Sequence, residues 1–322
     1  GAYEPGSAYV LLHHAFGNVD GNTGGWTYAR GGMGAITQAM ASACRHHGVD
    51  VRAGAEVAEV LVERGSVNGV RTADGEVFHA PLIAANTHPR VLFGQLLDPE
   101  LTPPAFATRI AGYRSESATF RMNLALTELP RFDSVPHDEA GLTAMQDTID
   151  ICPSLAYIDA AYDDARSLGY ARKPVISMCI PTLLDDSLAP SGCHVMSLFC
   201  QHFRHTLPDG RSWDDERETV ADHIIDTVAA YAPNLPGAIA GRQINSPRDI
   251  EEKLNMLGGD IFHGKLSLDQ IFSLRPVGGY ADHRMPLKGL YLCGSGAHPG
   301  GGVTGIPGRN AASVMLRDQR KF

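Results

Sequence analysis

The run Gly300-Gly301-Gly302-Val303-Thr304-Gly305 satisfies G-x-G-x-x-G, the spacing that lets a pyrophosphate approach the backbone of a strand-to-helix turn. It follows the apolar segment Leu290-Tyr291-Leu292-Cys293 and precedes a stretch with helical spacing from about Val303 to Arg317. A complete dinucleotide fingerprint also needs a second strand and an acidic residue about 20 positions further on. Only seventeen residues follow Gly305, so no βαβ unit can be completed. The physics of the turn is unaffected. A strand end, three successive glycines and a helix N-terminus present backbone N–H groups and a positive dipole end, a place for an anion or a partly negative ring oxygen. The adjoining His298-Pro299 exceeds what a bare turn requires, and a tight ligand-free turn is the competing reading.

Other chemistries lack their residues. Ser295 stands between glycines but not in a G-x-S-x-G elbow, which counts against a hydrolase. His13-His14 and His46-His47 are adjacent in sequence and cannot share a helical face as i, i+4 metal ligands do. No metal site is expected. The six cysteines (Cys44, Cys152, Cys179, Cys193, Cys200, Cys293) include no C-x-x-C pair. Their mostly apolar surroundings suit free thiols in a reducing, cytoplasmic setting.

Elements able to position the glycine loop are legible on either side of the middle of the chain. Residues 1–30 are aromatic and Gly-rich, without helical period, and read as loops and short extended pieces. Ile36, Ala39, Met40, Ala43 and His47 recur at three- and four-residue spacing, so 34–47 reads as an amphipathic helix stopped by Gly48. Three short strands follow, 57–63, 67–71 and 77–80, joined by turns at Arg64-Gly65 and Asp74-Gly75 as a β-meander. A buried-type strand covers 82–85. The alternation from Ala118 to Leu124 is a half-buried strand, and 174–180 and 194–200 also read as strands. Residues 215–231 place Val220, Ile224, Val228 and Tyr231 on one helical face that ends at Pro233. The acidic Asp214-Asp215-Glu216-Glu218 marks its solvated start. Pro307 and Gly308 are expected to weaken the first turn of the last helix.

Totals bound the class. The chain has 322 residues, room for about two domains, and a formal net charge of −9. That acidic balance lacks the basic face a nucleic-acid partner requires. No run approaches the ~18 apolar residues of a membrane span, and no secretory signal pattern is present. Glycine is in excess, 35 residues, with nine in the first 34 positions and seven between Gly294 and Gly308.

The run GLYLCGSGAHPGGGVTGIPGRNAA (289–312) resembles the C-terminal flavin-binding motif of the FAD-dependent phytoene desaturase and carotenoid isomerase-like oxidoreductases. The similarity is greatest to a subgroup named for a pyridine nucleotide-disulfide oxidoreductase domain. GGDIFHGKLSLDQIFSLRPVGGYADHRMPLKG (258–289) and the stretch from Arg30 to Pro89 resemble the same subgroup. The likeness covers nearly half the chain well and the middle loosely.

This resemblance implies an α/β (mixed α+β) FAD/NAD(P)-binding-type fold lacking its N-terminal Rossmann βαβ unit, with an inserted mixed-sheet substrate domain. Residues 1–30 would form a substrate-side segment, 31–100 and 278–322 a partial FAD-binding domain, and 101–277 the substrate domain. By the same resemblance, Gly294 and Ser295 face the ribityl–pyrophosphate of FAD, and Gly300, Gly301, Gly302 and Val303 pass beside its ring. Glu56 and Val57 meet the adenine end through backbone atoms, and Gly32 and Met33 form a glycine-rich re-entry into the flavin domain. Candidate side chains near the ring are His298, Arg275 and His263. His298 either relays a proton, as a side chain titrating near neutrality can, or shapes the loop before Pro299. Arg275 either contacts the flavin or an acidic substrate or forms an ordinary ion pair, and for His263 a structural role is the stronger reading.

The chain thus reads as the C-terminal portion of a flavin-dependent oxidoreductase that transfers hydride between a substrate carbon and FAD N5. Its partners would be a small, possibly apolar substrate and a missing N-terminal FAD-binding segment, with oligomerisation open. The alternative is a catalytically silent binding or scaffolding module that needs a separate N-terminal segment.

Overall fold

Twelve strands order the described part of the computed structural model, which covers residues 3, 5–15, 18, 19, 22, 23, 28–116 and 118–320. In chain order they are β1 (Asn18–Val19), β2 (Asn22–Thr23), β3 (Val57–Glu63), β4 (Ser66–Thr72), β5 (Val77–His79) and β6 (Ile83–Ala85). The remainder are β7 (Phe120–Leu126), β8 (Ile149–Ile151), β9 (Tyr170–Cys179), β10 (His194–Phe203), β11 (Ile239–Asn245) and β12 (Leu290–Leu292). The secondary structure is mixed α/β, and no described helix is long and apolar enough to cross a membrane.

The chain divides into two compact units. One comprises Gly1–Ala2, Ala8–Val51 and Ala118–Ile250; the other comprises Tyr3–Ser7, Arg52–Ser117 and Glu251–Phe322. These divisions fall at different positions from the expected boundaries near 30, 100 and 277. The residues 31–51 join the unit that holds the long antiparallel strands, whereas 101–117 and 251–277 do not.

The first unit is built on a five-stranded antiparallel sheet in the order β11-β7-β10-β9-β8. Alternation in β7 sends Phe120, Met122, Leu124 and Leu126 inward, as period 2 requires. They meet Met196 and Leu198 from β10, Ile176 and Met178 from β9, and the helix Trp213–Ala229. That helix buries Val220, Ile224 and Val228 as expected, but Tyr231 lies past its end and is exposed. Ser212 caps it, its hydroxyl accepting from the Asp214 N–H at 3.1 Å, and Asp214, Asp215 and Glu216 complement its dipole. The helix Leu155–Leu168 carries its own punctuation, Ser154 as N-cap and the left-handed Gly169 after its end.

Two expectations need correction here. Residues 1–30 do not consist only of loops and extended pieces, because Ala8–Ala15 is helical. The run Ala8-Tyr9-Val10-Leu11-Leu12 is free of Gly and Pro and contains strong helix formers, a signal masked by its Gly-rich flanks. The helix Met33–His46 forms as expected, but none of its residues is buried. Ile36 and Met40 of its apolar stripe are exposed, as is Met33 at its start. The side chains of His13 and His14 lie outside the described residues.

The second unit contains the expected meander, β3-β4-β5, and a two-stranded parallel pair of β6 with β12. Its core gathers Val60, Val67, Leu92, Phe93, Phe106 and Leu290, among others. Phe93, Phe106 and Tyr280 meet edge to face, with centroids 4.6 Å apart at each contact, the arrangement the ring quadrupole favours.

Candidate functional site

Because β6 and β12 run parallel with Ala85 opposite Leu292, their carboxyl ends emerge side by side at Asn86 and Cys293. In open α/β sheets, ligands gather outside this end of the strands. The backbone here is tightly approached. A Cβ at Gly294 would overlap the Asn86 side chain, and one at Gly296 would lie 2.7 Å from Pro89. The chain then turns through Gly300 (φ 107°), Gly302 (φ 136°) and Gly305 (φ 68°), conformations open to glycine. Val303 takes φ 56° without being glycine and is 76% exposed. A β-branched residue in that region is strained, and such strain collects at ligand clamps.

The last helix is Ile306–Gln319, so it starts later than the expected Val303. Left-handed Gly305 is its N-cap, and Pro307 stands in the first turn, where its missing N–H costs nothing. Pro307 therefore supports the first turn rather than weakening it. The N-cap has no side-chain bond, and no acidic residue stands in that turn. Thr304 Oγ1 accepts from the Ile306 N–H at 3.2 Å.

Beneath the loop lies Arg275, fully buried. Its Nε and Nη2 donate to the Ser295 carbonyl at 3.0 and 2.7 Å, and Nη2 also donates to the Phe262 carbonyl at 2.7 Å. Nη1 donates to the Gln270 carbonyl at 3.2 Å and Tyr113 faces the guanidinium at 5.9 Å. A Cβ at Gly300 would stand 3.6 Å from Arg275 Nε, and one at Gly301 would stand 3.2 Å from Ser295 Oγ. One cation thus ties 262–264, 270 and 295 together. Fully enclosed, it serves the loop's shape through backbone carbonyls.

Histidines ring this strut. His88 Nδ1 accepts from the Arg90 N–H at 3.0 Å, so its proton sits on Nε2, which donates to Ser115 Oγ at 2.7 Å. Ser115 receives a hydrogen bond and is not activated as a nucleophile. Burial, reinforced by His263, Arg90 and Arg275, lowers the His88 pKa to about 3. His263 stands 5.9 Å from His88 by ring centroids, at φ 52°, and its Nδ1 is buried without a partner. Burial and Arg275 lower its pKa as well. His298 lies against Phe272, and its Nδ1 is also buried and unpartnered. Burial, then His283 and Arg275, hold it below the ordinary histidine range. Both rings are therefore neutral at pH 7, each with a nitrogen free of any described protein partner.

Arg275, His263, Ser295, Gly300 and Gly301 are brought into one neighbourhood, with Gly294, Gly302, Val303 and His298 on the same loop. Glu56 and Val57 open the meander of the same unit: the Glu56 carbonyl accepts from the Ala73 N–H at 2.8 Å, and Val57 pairs with Thr72. Gly32 and Met33 belong to the other unit, where Gly32 (φ 78°) is the N-cap of Met33–His46. There the Gly31 N–H donates to buried Asp185 at 2.5 Å. Bonds from Ser187 and Gly31 lower the Asp185 pKa. Sequence reasoning did not find Asp185, His88 or Asp260. Asp260 is fully buried and accepts from the Phe262 and Glu116 N–H groups at 2.8 and 3.0 Å. The one local clue is Asp260-Ile261-Phe262, in which an aspartate caps the residue two positions on.

Comparison with known proteins matches this chain to the family described as FAD dependent oxidoreductase over residues 10–239. Pyridine nucleotide-disulfide oxidoreductase domain-containing protein 2 of Rattus norvegicus is 41% identical over 99% of this chain and 56% of its own length. A lycopene-forming phytoene desaturase of Pseudescherichia vulneris is 26% identical over 97% of this chain and 59% of its own. Among solved structures, a Methanosarcina mazei oxidoreductase has a TM-score of 0.56 at 18% identity, covering 90% of this chain and 55% of that one. Cyclohexylamine oxidase from Brevibacterium oxydans reaches 0.50 at 10% identity, covering 90% and 53%. The chain thus spans little more than half the length of the relatives it matches.

Proposed function

Since the chain belongs to the FAD-dependent oxidoreductase family, we propose that it is the C-terminal portion of a flavoenzyme acting on a small-molecule substrate. The observation that carries this reading is the loop at the carboxyl ends of β6 and β12, where glycines, a helix N-terminus with no acidic residue in its first turn and histidine nitrogens unpartnered among the described residues converge. These residues fit a flavin edge. Side-chain-free backbone admits a flat ring, and the helix end favours negative charge upon it by ~0.3–1 kcal/mol exposed and up to ~2 kcal/mol when partly buried.

FAD, when bound, supplies the redox chemistry by exchanging hydride between its N5 and a substrate carbon. Gly294 and Ser295 would line the ribityl–pyrophosphate, while Gly300, Gly301, Gly302 and Val303 would border the ring. Glu56 and Val57 would meet the adenine end. Arg275 positions Ser295 by gripping its carbonyl, whereas His298 Nδ1 and His263 Nδ1 can hold or pass a proton. The sparse free cysteines favour a cytoplasmic setting.

The test supplies the rest of a full-length relative's sequence ahead of this chain, as the proposal requires, and measures flavin absorbance after purification with FAD. A stoichiometric yellow protein is expected; a colourless one overturns the reading. The 322-residue chain alone should retain little flavin. The span of 56% of the rat relative favours a second reading, a silent binding or scaffolding module, which a colourless joined protein would support.

A further inference from the structure

The outward face of the five-stranded sheet carries a charge with no counter-ion among the described residues. Register places Arg121 of β7 between Asn245 of β11 and Phe199 of β10, with Ser177 and then Asp150 continuing the row. The next row holds Gln243, Asn123, Ser197 and Cys179. Arg121 is half-buried, and its guanidinium carbon lies 4.9 Å from the centroid of the Phe199 ring. Among the described residues, no hydrogen-bond acceptor or carboxylate partners it. Asp150, the acid of its row, accepts from Ser177 Oγ at 2.5 Å. Burial lowers the Arg121 pKa.

A partly desolvated cation without a partner is costly unless something completes it. Arginine is the side chain whose planar fork matches a carboxylate in two parallel bonds while its face stacks on an aromatic ring. No second cation stands in either row, so the site suits one negative charge rather than a phosphate dianion. The amides of Asn123 and Gln243, joined at 3.3 Å, and the half-buried Phe199 offer polar and apolar contact to the rest of such a molecule.

We propose that this sheet face binds an organic monocarboxylate, its carboxylate on Arg121 and its apolar body along Phe199. Only in calling that ligand a substrate does this rest on the oxidoreductase reading; binding itself needs no flavin. Calorimetric titration of flavin-free protein with phenylacetate and with its neutral amide, phenylacetamide, tests it. Phenylacetate should bind at least tenfold more tightly than the amide. Arg121→Met should remove that preference without lowering the urea midpoint, because the lost charge has no acceptor or carboxylate among the described residues and methionine keeps the packing on Phe199. Arg242→Met, which removes a cation paired with Glu218 and Asp222, should leave the preference intact. Equal affinity for acid and amide, no saturable binding of phenylacetate, or an unchanged preference in Arg121→Met overturns the proposal. A destabilised Arg121→Met would show that the charge is satisfied internally and overturns it equally. Flavin content of the joined protein is measured apart from these titrations, so either reading can fail without the other.

Discussion

Arg275 donates to carbonyls from three stretches of chain, and its burial leaves no solvent to replace them. Arg275→Met should cost at least ~3 kcal/mol in urea unfolding, because buried carbonyls lose charge-assisted bonds together. Arg275→Lys keeps the charge but not the fork and should recover only part of that loss. His88 sets a pH dependence of known sign. Its folded pKa is about 3, below the ordinary 6.5, so below pH 6.5 the unfolded chain binds a proton that the folded chain refuses. Stability is therefore fully present above pH 6.5 and falls as pH drops towards 3, by ~1.4 kcal/mol per pH unit at most for this group. His263 and His298 shift in the same direction. His88→Asn, which can still accept at the cap, should flatten the slope of the urea midpoint between pH 7 and 5.

Elements show where local signals suffice. The meander was legible because Gly65 and Gly75 occupy left-handed turns between runs of alternating burial. The helix Leu155–Leu168 escaped notice although Ser154 and Gly169 bound it, because only Ala161 and Ala165 of its residues are buried and its apolar period is faint. Gly169→Ala tests that stop. At φ 93°, with a Cβ 2.6 Å from Leu207, the substitution should lower stability by ~1–3 kcal/mol in chemical denaturation. The same logic explains the last helix. Gly305 can take the left-handed N-cap, so Ile306 rather than Val303 begins the turn, a difference periodicity alone could not resolve.

At the scale of the molecule, the family match spans residues 10–239, whereas the glycine loop that motivates the flavin site lies beyond it. The role proposed for the loop therefore rests on its geometry together with the sequence resemblance, and not on the family model. In the joined protein, Gly301→Val should abolish flavin absorbance, because its side chain would enter space 3.2 Å from Ser295 Oγ and crowd the ring. Unchanged flavin content would move the ring away from this loop. The unit boundaries were not legible in sequence: 31–51 and 251–277 have ordinary composition, and their allegiance depends on contacts with residues far along the chain.

Sequence by itself determined what depends on neighbours in the chain. The strand alternations, the long helix 213–229 and the glycine-rich turn after Leu292 follow from backbone conformational limits and side-chain period. Quoted motifs were also enough to indicate the flavin-dependent family. Tertiary structure alone decided which polar groups are satisfied. Nothing local shows that Arg275 is sealed among carbonyls, that His88 is a neutral cap, or that Arg121 stands beside Phe199 without a counter-ion among the described residues. Those outcomes are set by desolvation and by partners at irregular separations along the chain, which have no period.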